Sequence, residues 1–409
     1  MRQKTILYIH HYGDQHGTEN VKTIGDGGSN IHIHLIQKLE KKFNVVISTY
    51  ADNYVSNHYF AKSKNVQVVE HFTLSGLFKK KLLFFELPLR CFYPSLKYLW
   101  VKDKYDYVVT QTDFLPDAIT GFLLKLKRPG IVWIASYFLD APKPWDKNTP
   151  YKGIRWLAGF FYWLLQRPSY WIIKTFADYV LVTSKPDVAK FVTPKRTPDK
   201  VIVAQGGVDI EESERYLNGK QVIPIKKRKF DACFSGRFHY QKGVLELLDI
   251  WRIISNRHKN AKLALIGAGP LEQDVKKKIK NLRLETNVDL LGYRSGDDKF
   301  AIFKQSKVMV HPATYDSGGM AAAEGLAWGL PGVAFDLDSL KTYYPKGVLK
   351  VRQFDLKEFA QKTLHLLTDK SLYKKTATDA HDLVLESWDW RKRVRVIYMP
   401  IFGRSRISP

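Results

Sequence analysis

Short runs of β-branched and aromatic residues, each closed by a glycine or polar loop and followed by a helical pattern, repeat along this chain and limit what it folds into. Ile6 to His10 reads as a strand, Asn30 to Lys41 as a helix and Asn44 to Thr49 as the next strand. Tyr107 to Thr110, Ile131 to Ala135 and Tyr179 to Thr183 continue the series. Strands that alternate with helices pair in parallel, and such a sheet carries helices on both faces. A stretch rich in proline and basic residues, Thr193 to Lys200, reads as a hinge, and Val201 to Ala204 as a strand of the linker or of a second domain. The pattern then restarts with Phe230 to Ser235, Lys262 to Ile266, Asp289 to Leu291, Val308 to Val310 and Gly332 to Phe335. At 409 residues the chain exceeds what one core fills. The expected architecture is α/β, with two doubly wound parallel-sheet domains, 1–195 and 196–385, facing across a cleft, and a C-terminal helix in 386–409 packing back on the first. Open sheets of this kind take ligands outside the carboxyl ends of their strands, where the glycine loops fall.

A formal charge of +25, spread over both halves, says that the protein seeks anions. Nucleic acid is not expected as a partner, because no nucleic-acid motif accompanies the charge. The two cysteines, Cys91 and Cys233, have neither disulfide-framework nor zinc spacing, and the N-terminus reads as a first strand, so a cytoplasmic protein is expected. The longest apolar run, Trp156 to Leu165, is about half the roughly 20 residues that cross a bilayer.

Val308 to Val310 leads through His311 and Pro312 into Tyr315-Asp316-Ser317-Gly318-Gly319-Met320, and a helical run carries Glu324 before stopping at Gly329-Leu330-Pro331. The amides of Gly318, Gly319 and Met320 fall at the positive end of that helix, where a diphosphate binds. Side chains of a helix lean toward its N-terminus, so Glu324 reaches a sugar hydroxyl beside the phosphates while Asp316 faces the loop mouth. Gly236 to Gly243 follows another strand and holds Arg237 and Lys242, paired cations that would neutralise a diphosphate and stabilise it as a leaving group. Two further strand-end turns, Gly267 to Pro270 and Gly292-Tyr293-Arg294, are candidates for lining a nucleotide pocket.

The order and spacing of GRFHYQKG, IGAGP, LLGY and HPATYDSGGMAAAEGLAWGLP resemble glycosyltransferase family 4, over about residues 201 to 390. The resemblance implies the GT-B fold of two Rossmann-like domains and transfer of a sugar from a nucleotide sugar with retention of configuration. It also implies roles: Arg237 and Lys242 on the donor diphosphate, Asp316 on the sugar hydroxyls, Glu324 on the ribose, and the Gly318 to Met320 amides completing the phosphate cradle. Gly25 to Asn30, with Gly27 and Gly28, resembles the family's first glycine loop over the donor phosphates. Two positions depart from the family. Asp316 is one methylene shorter than the usual glutamate, and the frequent histidine after a middle strand of the first domain is missing from Val132 to Asp140, where Ser136 or Asp140 stands nearest.

Asp336-Leu337-Asp338 matches a metal motif of the other large glycosyltransferase fold but sits at a strand-end turn, and the His10-His11 and His32-His34 pairs point apart, so no metal is expected. Two basic aromatic segments, Leu77 to Phe85 and Arg155 to Arg167, have the composition of in-plane membrane helices. The expected enzyme needs no cofactor beyond the nucleotide-sugar co-substrate. It works on a lipid-linked or glycan acceptor, with an anionic membrane surface as a further partner at the inner face of the cell membrane. The alternative is a catalytically inactive protein of the same fold that binds a nucleotide or glycan, and oligomeric state is left open.

Overall fold

A computed structural model describes residues 3–11, 27–50, 63–72, 83–100, 104–147 and 149–403. The chain forms two compact units, one of 1–144, 154–206 and 393–409, the other of 145–153 and 207–392. In the first, β1 (Thr5–His10), β2 (Asn44–Tyr50), β3 (Val66–His71), β4 (Tyr107–Thr110), β5 (Val132–Tyr137), β6 (Tyr179–Val182) and β7 (Val201–Val203) form one sheet in the order β3-β2-β1-β4-β5-β6-β7. Every pairing in it is parallel. The central strands are buried almost throughout, as both faces of a helix-covered sheet must be.

The strand expected in the linker or second domain belongs to this first sheet. Val201 lies opposite Val180, and the amide of Ala204 donates to Val182 O at 2.7 Å. Val201 and Ile202 are buried there, so a three-residue apolar run finds its cover by lengthening an existing parallel edge. Just before it, Arg196 is buried and donates to the carbonyls of Ile173, Lys174 and Ala177 at the end of the Trp156–Phe176 helix, and to Phe191 O. Those carbonyls form the negative end of the helix, which a cation satisfies. Burial lowers the guanidinium to about 10, with Asp178 acting in the opposite direction.

In the second unit, β8 (Phe230–Ser235), β9 (Leu263–Ile266), β10 (Val288–Gly292), β11 (Ser306–His311), β12 (Gly332–Phe335) and β13 (Val348–Val351) take the order β10-β9-β8-β11-β12-β13. Alternate side chains of these strands supply two separate cores. Ala232, Phe234, Leu263, Leu265, Val308 and Val310 pack on one face around Trp251 of the Val244–Arg257 helix. Cys233, Ala264, Ile266, Met309 and Ala334 pack on the other with Trp328 and Trp388. A period of two on a strand with both faces apolar requires helices on both sides, which is the doubly wound arrangement. No helix among the described residues is long and apolar enough to cross a membrane.

Trp251 is fully buried and its Nε1 donates to Asn287 O at 3.2 Å. Trp251→Ala is expected to lower stability by about 3–5 kcal/mol, measured as a drop in urea midpoint at unchanged slope.

Candidate functional site

The loops at the carboxyl ends of β8, β9, β10 and β11 are joined by backbone hydrogen bonds. Gly236 donates to Ile266 O at 3.0 Å, Phe238 to Ala268 O at 2.9 Å, and Gly267 to Gly292 O at 2.8 Å. From the β11 loop, the amides of Thr314 and Tyr315 both donate to Gln241 O, at 2.9 and 3.2 Å. Gly243 closes the β8 loop in the left-handed region at φ 66°, and a Cβ there would lie 1.8 Å from Pro312 O. Only glycine satisfies both conditions.

This interlock brings Lys242 to Asp316, two of the residues singled out on different strand ends. Lys242 Nζ stands 2.7 Å from Asp316 Oδ2, and His311 Nε2, at the end of β11, is 3.2 Å from the same oxygen. Asp316 is buried, with its side chain 6% exposed, rather than facing the loop mouth. Its Oδ1 accepts from the amides of Gly318 at 3.2 Å and Gly319 at 3.1 Å. Two of the three amides expected to be free for an anion, those of Gly318 and Gly319, are thus engaged by the loop's own carboxylate, because the shorter aspartate folds back on residues two and three positions ahead. Burial by itself would raise the Asp316 pKa, but Lys242 and then His311 hold it well below the usual carboxylate range.

The helix that follows, Met320–Ala327, carries Glu324. Glu324 does not meet Asp316; its Oε2 accepts from Lys299 Nζ at 3.0 Å. Lys299 lies on the Gly296–Lys304 helix and belongs to no motif in the sequence, so its place beside Glu324 becomes visible only when the strands are ordered. Tyr344 is buried against the first turn, where its phenol donates to Gly319 O and accepts from the Ala323 amide at 3.0 Å. Arg237 is exposed and makes no ion pair among the described residues. Tyr293 is half-buried, and Arg294 is exposed with Nη1 on Tyr293 O at 3.1 Å. Both carboxylates of the Asp336 and Asp338 pair lie against Lys341, at 3.8 and 2.9 Å.

Gly27 and Gly28 open the Gly27–Leu39 helix of the first unit, while Gly25 and Asp26 lie outside the described residues. At the strand where the family's histidine was sought, Ser136 Oγ is 2.9 Å from Nε2 of His32, a buried residue of that helix. Burial first, then His10, pushes the His32 imidazole down to about 3 and keeps it neutral. Asp140 is engaged by Arg167 at 2.6 Å, Lys190 at 3.1 Å and the Tyr137 hydroxyl at 2.9 Å. The sequence signal for His32 is its place on the inner, apolar face of the Gly27–Leu39 helix, among Ile31, Leu35 and Ile36.

Residues 218–382 match the family described as glycosyl transferases group 1. The match lies wholly within the second unit. An uncharacterized glycosyltransferase of Methanocaldococcus jannaschii is 32% identical over 156 residues, 37% of this chain and 39% of that protein. A second from the same organism is 24% identical over 314 residues, covering 74% of this chain and 76% of the relative. The matched stretch therefore spans well under half of the first relative and about three quarters of the second. Among solved structures, Anabaena HepE in complex with UDP and glucose superposes with a TM-score of 0.68 at 16% identity, over 98% of this chain and 100% of that one. The likeness is one of fold, and it agrees with the two Rossmann-like sheets of the GT-B type described above.

The low pKa of Asp316 sets a pH signature. A depressed carboxylate contributes stability that is full above its unfolded pKa of about 3.9 and is lost as pH falls through the lower folded value. Asp316→Asn is expected to cost about 1–3 kcal/mol at pH 7. The gap to wild type should close only below about pH 4, which paired urea titrations at pH 7, 4 and 3 will read.

Proposed function

We propose that the protein is a retaining glycosyltransferase that moves a sugar from a nucleotide-diphosphate sugar to a lipid-linked or polysaccharide acceptor at the cytoplasmic face of a cell membrane. The observation that carries this reading is the Lys242–Asp316 contact between two strand-end loops, with the exposed cation Arg237 on one of them, inside a segment that matches the group 1 glycosyl transferases. A nucleoside diphosphate is the ligand whose charge these cations fit. The relation in fold to a structure holding UDP makes uridine the first base to test.

The chemistry needs positioning and charge stabilisation. As the bond between the anomeric carbon and the diphosphate oxygen breaks, negative charge grows on that oxygen and positive charge on the sugar. Arg237 and Lys242 stabilise the departing diphosphate, so no metal ion is called for. Lys242 is 31% exposed on its side chain, which lets it serve the diphosphate while keeping Asp316 ionised. On this reading Glu324, steadied by Lys299, takes the ribose, and Asp316 would take the sugar hydroxyls only on leaving its partners Lys242 and the Gly318 and Gly319 amides. Retention follows if the acceptor hydroxyl attacks from the side the diphosphate leaves and gives its proton to the departing phosphate oxygen; passage through a covalent intermediate would need a side-chain nucleophile, and the sequence singles out none.

One observation favours the second reading, a binding protein without turnover: Asp316 already occupies the Gly318 and Gly319 amides and Lys242. Nucleotide release from a panel of uridine, guanosine and adenosine diphosphate sugars separates the two. A ligand that raises the melting temperature without releasing nucleotide supports the binding protein. For the transferase, Arg237→Ala should lower kcat about 100-fold by removing one charge donor to the leaving group. Glu324→Ala should raise the donor KM about tenfold while leaving kcat nearly unchanged. Wild-type kinetics in either folded variant would count against the site.

A further inference from the structure

The Trp156–Phe176 helix leaves one apolar face uncovered along its length. Leu157, Phe161, Leu165 and Trp171 are 57, 55, 52 and 61% exposed, and Leu164 and Pro168 lie between them on the same side. Their spacing is that of a single helix face. Gly159, Gln166, Ser169 and Ile173 are buried on the opposite side. Gln166 donates to Asp113 at 2.6 Å and Arg167 to Asp140 at 2.6 Å, so polar groups of this helix are used to anchor it inward while its hydrocarbon faces out. At about 1.5 Å per residue the stripe from Leu157 to Trp171 is some 20 Å long, which is too large to be scattered surface apolar residues.

Charge decides what covers it. Between Asp146 and Asp178 the sequence contains five lysines and arginines and no acidic residue. Lys174, at the end of the stripe, stands 5.9 Å from the ring centroid of Trp171. A second copy of this chain packed face to face across a twofold axis would set these cations against their own images in a protein that already carries +25. An anionic lipid surface provides the opposite charge together with hydrocarbon for the rings. The neighbouring Leu115–Lys127 helix, which packs against this one, ends in Lys125, exposed Leu126 and exposed Lys127, extending the same composition.

We propose that the outer face of the Trp156–Phe176 helix lies in the plane of an anionic membrane, with Leu157, Phe161, Leu165 and Trp171 inserted among the acyl chains near the headgroups. This deepens the membrane-face reading above by naming the surface and the lipid charge, and it does not depend on which sugar is transferred.

The test uses the full chain and vesicles of phosphatidylcholine with or without about a third phosphatidylglycerol. Wild type is expected to sediment with the anionic vesicles and not with neutral ones. The triple variant Leu157→Ser, Phe161→Ser, Leu165→Ser should bind at least about tenfold more weakly, since it keeps the cations and loses the inserted area. Phe161→Cys labelled with a polarity-sensitive dye should shift to the blue on anionic vesicles. Equal binding of wild type and triple variant, or a silent dye, overturns the proposal, as does a wild-type dimer that the triple variant splits. Donor-induced thermal shift, read on the same samples, should be the same in both proteins; its absence from both would sink the transferase reading while leaving the lipid result intact.

Discussion

The second unit's site depends on a backbone contact that admits no side chain. Gly243 ends the β8 loop where a Cβ would collide with Pro312 O, so the β8 and β11 loops lie against each other directly. Hydrogen bonds from Thr314 and Tyr315 to Gln241 O fix their register. Lys242, one residue before that glycine, is thereby delivered to Asp316. Opening this contact would cost the loop hydrogen bonds together with the ion pair, so the cation and the carboxylate are held as one unit. Rigid placement of this kind is what electrostatic stabilisation of a leaving group requires.

Much of the fold was legible because it rests on local period. Alternating apolar residues in Phe230–Ser235 and Ser306–His311 point to opposite faces, and each face found its helices. The short strand Val201–Val203, expected in the linker or a second domain, joins the first sheet instead, because three apolar residues carry no information about their partner and pairing with Val180–Val182 decides it. The edge strands β3 and β13 escaped for a related reason. Val66–His71 mixes polar residues into its run, and Val348–Val351 follows a turn with too few residues to show a period.

The candidate site was readable in its residue types and less so in their connections. Strand-end glycines marked where Arg237, Lys242, Asp316 and Glu324 would stand, since spacing within a loop is local. The use made of each charge is not. Lys299 reaches Glu324 from a helix 25 residues away, and nothing about a lysine in GDDKFAIFK distinguishes it from an idle surface charge. Asp316 turning back onto Gly318 and Gly319 follows from the length of one side chain, a difference that a motif match passes over. The histidines of the first unit show the same limit: burial makes His32 and His71 neutral, and only packing tells which histidines are buried.

Tyr344 gives the Met320–Ala327 helix an unusual beginning. In a regular first turn the amide of Ala323 would donate to Gly319 O; here the phenol stands between them, accepting from one and donating to the other. The helix is therefore spliced at its first turn to the chain that follows β12 through a hydroxyl, beside the backbone bond from the Ala322 amide to Gly319 O at 2.9 Å. A displacement of Tyr344 is transmitted to the turn that aims Glu324, so the position of a residue twenty places downstream in sequence, well outside the glycine loop, becomes part of how that carboxylate is pointed.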